Sequence, residues 1–156
     1  MERQSGLLPD LEATHRTYMG MLMTVTTRGA PGGRNPPLSA HDWMTLLDEQ
    51  AAARRAWAAL FGTFDVVVAP TLGSLAFPHI ADGGAWGDRT LRINGADTPF
   101  AAQLAWPGMA TLAQLPSTAF PIGVSRTGLP IGVQAMGPYL EDRTTIAFAQ
   151  MVEGLG

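Results

Sequence analysis

The sequence predicts an α/β fold, and three observations carry that prediction. A valine-rich apolar run at 64–69 is bounded by Gly62 and Pro70. Two β-prone runs, Ser117–Val124 and 131–136, flank the turn Ser125-Arg126-Thr127-Gly128. Stretches of helical apolar periodicity precede the first run and follow the last, and a helix leading into a buried strand is α/β grammar.

Each element follows from its residues. Leu11, His15, Tyr18, Leu22 and Val25 recur at alternating steps of four and three, one face of a helix that Asp10 caps. Glycine and proline pairs in 29–37 end it. Ser39 and Asp42 form a capping box, with Asp in place of the commoner Glu or Gln. Trp43, Leu46, Leu47, Trp57, Leu60 and Phe61 continue that helix as an apolar stripe, which Gly62 terminates. The run at 64–69 then reads as a strand covered on both faces. Residues 71–97 are loop-rich, with Gly83-Gly84, Asn94-Gly95 and one short strand at Thr90–Ile93, and a loop of that length points to a functional or lid-like segment. Residues 100–106 form a helical turn or two, broken near Pro107-Gly108 and resumed at 109–113. In the closing hairpin Gly128 takes positive φ without a Cβ clash, and Pro121 and Pro130, lacking an N–H, belong at strand ends, bulges or edges. Asp142 caps a last helix that buries Ile146, Ala149, Val152 and Phe148.

Composition bounds the function classes. The length of 156 residues suits one domain, and a fold of that size buries roughly 68–70% of its unfolded surface. A hydrophobic share of 46% against 15% charged residues argues against disorder. The net charge is −3, and the ten basic residues are all arginine, scattered apart from Arg54-Arg55, so no face for a phosphate backbone forms and nucleic acid is not an expected partner. Cysteine is absent, which removes disulfides and thiolate metal sites. Residues 1–9 lack the apolar core of a signal peptide and no apolar run approaches membrane-spanning length, so a soluble cytoplasmic chain is expected. A helix pattern runs almost to Gly156, and both ends read as cuts rather than natural domain edges.

The stretch 114–134, Q-L-P-S-T-A-F-P-I-G-V-S-R-T-G-L-P-I-G-V-Q, resembles the closing hairpin of the amidase signature family, whose members carry a PA-x-x-x-P-x-G turn followed by GLP-x-G-x-Q. Residues 65–71, D-V-V-V-A-P-T, are similar to the family's D-x-x-x-x-PT strand, and 142–153 to its last helix. The match is best over 39–153 and loose over the helix and linker of 1–38. Thr111 and Gln114 stand where members place Asn and Gly, and Ser117 where Ala is usual. The resemblance implies a mixed β-sheet flanked by helices, a partial amidase signature fold corresponding to the C-terminal part of an amidase domain. It implies hydrolysis of non-peptide carbon–nitrogen amide bonds, without cofactor or metal, with a small-molecule amide and the missing N-terminal amidase segment as partners. Two alternatives stay open: the amidase subunit of a tRNA-dependent amidotransferase, and a non-catalytic interaction module or remnant.

Family chemistry, as the resemblance implies it, uses a serine nucleophile, a bridging serine after a cis peptide, and a lysine base. This chain has no lysine, and arginine stays protonated and cannot replace it. Ser5, Ser39, Ser74, Ser117 and Ser125 are isolated, with no Gly-Ser run, so no catalytic residue is assigned. His15, His41 and His79, with Asp65, Asp82 or Asp142, show neither triad nor metal spacing. Asp65 reads as a strand-entry residue, the glycines at 123, 128, 132 and 137 as turn and packing positions, and Met19, Met21, Met23, Trp43 and Trp57 as core. In the family the segment before the turn lines the acyl pocket. That makes Gln103 and Trp106, together with Trp86, the expected substrate-binding residues, since aromatic walls with a few amides suit an amide substrate.

Overall fold

The computed structural model describes residues 39–79 and 88–155. The expected helix through Leu11 and Val25, its linker, Gly83-Gly84 and Trp86 lie outside the described residues.

Helix α1 (Ala40–Phe61) starts with the capping box: Asp42 N–H donates to Ser39 Oγ and Ser39 N–H to Asp42 Oδ2, both at 3.1 Å. Gly62 caps its end. The apolar stripe divides in two. Ala53, Trp57, Leu60 and Phe61 join the core, with Trp57 and Phe61 stacked at 5.7 Å. Trp43 is 48% exposed, and Met44 and Leu47 are exposed too, which corrects the reading of Trp43 as core. The described sheet and helices reach only the last turns of α1.

The strand expected at 64–69 is shorter and later. Phe64 N–H still donates to Leu60 O, so the chain leaves the helix slowly and β1 spans Val67–Pro70. It is an edge strand in a three-stranded antiparallel sheet of order β1-β5-β4, where β4 is Ser117–Val124 and β5 is Pro130–Met136. Coverage on both faces is corrected: Ala69 is buried against the helices, whereas Val68, on the opposite face, is 49% exposed. The register pairs Ala69 with Gln134 and Gln134 with Ala119. A bulge falls between Pro121 and Gly123, which leaves Ile122 outside the ladder and places the proline where no donor is needed. Gly128 has φ +81°, as the turn requires.

A second sheet is the hairpin β2 (Thr90–Ile93) and β3 (Ala96–Pro99). Asn94 and Gly95 have φ of 50° and 82°, the paired positive values of a two-residue hairpin turn. All described pairings are antiparallel, so the parallel component that a mixed sheet needs is not among them.

A 3-10 turn (Phe100–Leu104) runs directly into α2 (Ala105–Ala113). The expected break at Pro107-Gly108 does not occur. Pro107 is the third residue of α2, and the first turn of an α-helix tolerates proline. Its carbonyl accepts from Thr111 Oγ1 at 2.9 Å. Gln114 ends α2 at φ 56°, a left-handed conformation that favours glycine. Arg54 reaches from α1 to hold that corner, donating from Nε to Ala113 O at 3.2 Å and from its terminal nitrogen to Gln114 Oε1, with its guanidinium 4.1 Å from the centre of the Tyr139 ring.

Helix α3 (Asp142–Glu153) follows Glu141, not Asp142, as its cap residue. Asp142 instead sits in the first turn, where its charge complements the helix dipole. The buried face is Thr145 and Ala149 with Phe148 and Val152, and Ile146 is 48% exposed, which corrects its expected burial. Thr145 is favoured because Gly137 leaves room: a Cβ there would lie 2.7 Å from Thr145 Cγ2. Its hydroxyl donates to Asp142 O at 2.9 Å and accepts from Thr118 Oγ1 at 2.8 Å. Two cores result, one of Trp57, Leu60, Met109, Ala113 and Met136 between the helices and one sheet face, the other of Phe120, Ala135 and Ala149 under α3.

Candidate functional site

After β1 the chain makes an irregular strap through residues 71–76, and two open clefts share its residues Gly73, Ser74, Leu75 and Ala76 as a wall. One cleft, of about 510 Å³, lies between the strap, Trp106 and the start of β5 (Pro130, Ile131, Gly132, Val133). The other, of about 710 Å³, lies between the strap, β2 and Leu129, and carries His79, Arg92 and Asn94.

Side-chain amides anchor the strap where it leaves β1 and at Gly73. Gln134, 5% exposed, donates from Nε2 to Pro70 O at 2.9 Å and to Trp106 O at 3.0 Å, while its Oε1 accepts from Ser117 Oγ at 2.9 Å. One side chain thereby joins β1, α2, β4 and β5. Gln103, also 5% exposed, accepts the Gly73 N–H on Oε1 at 3.0 Å. A side chain at Gly73 would displace the Gln103 amide: an added Cβ would overlap Gln103 Oε1 and come 3.2 Å from Trp106 Nε1.

Of the residues expected to bind substrate, Trp106 lines the smaller cleft. Gln103 lies beneath the strap and lines neither cleft, and Trp86 is outside the described residues. Sequence reasoning missed Gln134 and Gly73. The signal for Gln134 was a polar residue between Val133 and Ala135, on the same strand face as buried Met136.

Every described serine hydroxyl has a structural task. Ser39 caps α1, Ser74 donates to Leu75 O at 3.0 Å, Ser117 donates to Gln134, and Ser125 Oγ accepts the Thr127 and Leu129 N–H groups in the turn. His41 is exposed on the first turn of α1 and His79 is exposed on the rim of the larger cleft. No helix among the described residues is long and apolar enough to cross a membrane.

The family model described as Amidase matches residues 22–146, well over half of the 156 residues. This chain belongs to the amidase family. A glutamyl-tRNA(Gln) amidotransferase subunit of Synechococcus sp. (strain CC9902) is 38% identical over 100 residues, covering 64% of this chain and 18% of that protein. Fatty-acid amide hydrolase 2-A of Danio rerio is 27% identical over 115 residues, covering 74% of this chain and 19% of that protein. A solved bacterial aryl acylamidase of the amidase signature enzymes has the same fold, with a TM-score of 0.61 at 16% identity over 96% of this chain and 35% of that one. The chain thus spans about a fifth of the length of these curated relatives.

Proposed function

We propose that this amidase-family chain is the C-terminal part of an amidase domain whose complete form hydrolyses the carbon–nitrogen bond of a neutral, non-peptide amide. This part builds one wall of the acyl pocket and supplies no catalytic group. The observation that carries the reading is the Trp106 cleft: an aromatic ring, aliphatic strand residues and a strap offering Thr71 and Ser74, with no ionisable side chain among the described residues of its lining. Such a surface buries an apolar acyl or aryl group and gives a fixed charge nothing to pair with. The lack of lysine and the structural engagement of the described serines support inactivity of the chain alone.

The test has two arms. A fluorophosphonate probe is expected to label no serine, and stoichiometric labelling would overturn the inactivity. Benzamide is expected to shift the Trp106 indole resonance in NMR and, by titration calorimetry, to bind the parent chain but not Trp106→Ala, with the strands still protected from hydrogen exchange. Unchanged benzamide binding in that variant would remove the pocket.

The amidotransferase relative at 38% identity favours a second reading, in which the chain is part of the amidase component of an amidotransferase, with glutamine as the amide hydrolysed. Glutamine carries two charges for which the described residues of the Trp106 cleft offer no partner. L-glutamine competing with benzamide for the Trp106 resonance would establish this second reading over the first.

A further inference from the structure

The two clefts share the wall formed by Gly73 to Ala76, and Gln103 accepts the first N–H of that wall from below. The acceptor is buried, so losing it removes the described hydrogen-bond partner of the Gly73 N–H. The fit is also steric, because Gln103 Oε1 and Trp106 Nε1 together occupy the space that any side chain at position 73 would need. The contact at Gly73 therefore holds the part of the strap that both clefts share, while Gln134 holds its start at Pro70.

We propose that Gln103 is a positioning residue: by holding Gly73 it sets the strap as a partition and limits the size of the acyl or aryl group that the Trp106 cleft admits. This rests on the reading of that cleft as the amide pocket, and extends it from a pocket to a selectivity device. Gln103 touches no ligand. It acts through the strap, so displacing the strap toward the larger cleft widens the smaller one.

The wall is perturbed from both sides. Gln103→Leu removes the acceptor and keeps the bulk, Gly73→Ala inserts the forbidden Cβ, and Gln103→Glu, which retains an acceptor oxygen, serves as the conservative rescue. Two readouts are made on the full chain: hydrogen exchange at the residue 73 amide, and binding of benzamide against the larger 1-naphthamide by the Trp106 indole resonance. In Gln103→Leu the Gly73 amide is expected to exchange about tenfold faster, equivalent to ~1.4 kcal/mol, with protection at Ala135 and Met136 kept as the control for folding. Gln103→Glu is expected to restore the slow exchange. Both Gln103→Leu and Gly73→Ala are expected to shift the affinity ratio toward 1-naphthamide by about tenfold or less, the scale of a few added apolar groups.

Unchanged Gly73 exchange in Gln103→Leu overturns the lock. Faster exchange with an unchanged affinity ratio in both variants overturns the selectivity role. If neither amide moves the Trp106 resonance in the parent chain, the pocket reading falls and the selectivity claim falls with it, while the exchange arm alone decides whether Gln103 holds the strap.

Discussion

Gln134→Leu removes three hydrogen bonds at 2.9, 3.0 and 2.9 Å from a side chain only 5% exposed, and it disconnects α2 and the end of β1 from β5. At about 1 kcal/mol net per neutral bond, offset in part by the apolar replacement, the expected loss is ~2–3 kcal/mol. That is a large part of the ~5–15 kcal/mol that holds a typical domain. With a urea slope of ~2 kcal/mol per molar, the unfolding midpoint falls by about 1–1.5 M. Gln134→Glu sharpens the test, because it keeps the shape and replaces two donors with an acceptor facing the Pro70 and Trp106 carbonyls. Ionisation is disfavoured there, so the introduced carboxyl is raised in the folded state above its unfolded value of about 4.3. Sign then follows: the variant loses least below that value, where a protonated carboxyl donates one bond, and its stability declines as pH rises. Urea titrations followed by far-ultraviolet circular dichroism at acid and neutral pH read both effects. A Gln134→Leu midpoint within ~0.3 M of the parent, well inside the expected loss, or a Gln134→Glu loss independent of pH, would refute the clamp.

Gly137→Ala brings a Cβ to 2.7 Å from Thr145 Cγ2, and overpacking of this kind costs about 1–3 kcal/mol, read as a fall in the thermal midpoint; no change would show that α3 is free to slide. Arg54→Lys keeps the charge but loses the fork that reaches Ala113 O and Gln114 together, so it is expected to destabilise by ~1 kcal/mol. In that background Gln114→Gly is expected to regain stability by relieving the left-handed backbone, and a double variant no better than Arg54→Lys would contradict the assignment. The chain alone is expected to self-associate in sedimentation, because no described strand pairs with the outer edge of β1 and Val68, Trp43 and Met44 are exposed among the described residues. Val68→Lys should reduce that association, and a fully protected monomeric parent would favour a self-sufficient module over part of a larger enzyme.

The sequence made the strands and caps legible where local chemistry dictates them. Ser39 with Asp42, Gly128 in its turn, and the bounds of β2 and β4 follow from short-range rules and agree with the structure. Burial was less legible, since it depends on what lies opposite. Trp43 and Ile146 fit an apolar stripe, yet no described element covers them; periodicity reports a face, not its neighbour. The hairpin partner β3 was missed because A-D-T-P has low strand propensity, although Asn94-Gly95 was the signal for it. Pro107 signals a break in the sequence and sits in a helix's first turn in the structure, because proline's effect depends on where the helix starts and no local residue marks that start. At the candidate site the ring of Trp106 points to a pocket and lines a cleft, while the amide of Gln103, which points to a ligand in the sequence, turns inward to backbone.

Both anchors of the strap are primary amides, Gln134 at Pro70 and Gln103 at Gly73. Neither group titrates, and neither bond is an ion pair that dissolved salt can screen. The wall of the Trp106 cleft is therefore insulated from the ionic composition of its surroundings in a way that an arginine–carboxylate latch would not be. Its release is governed by temperature and by agents that compete for amide hydrogen bonds, such as urea. A pocket wall fastened in this manner keeps its dimensions across compartments of different acidity and ionic strength, and leaves any such sensitivity of the complete protein to groups elsewhere.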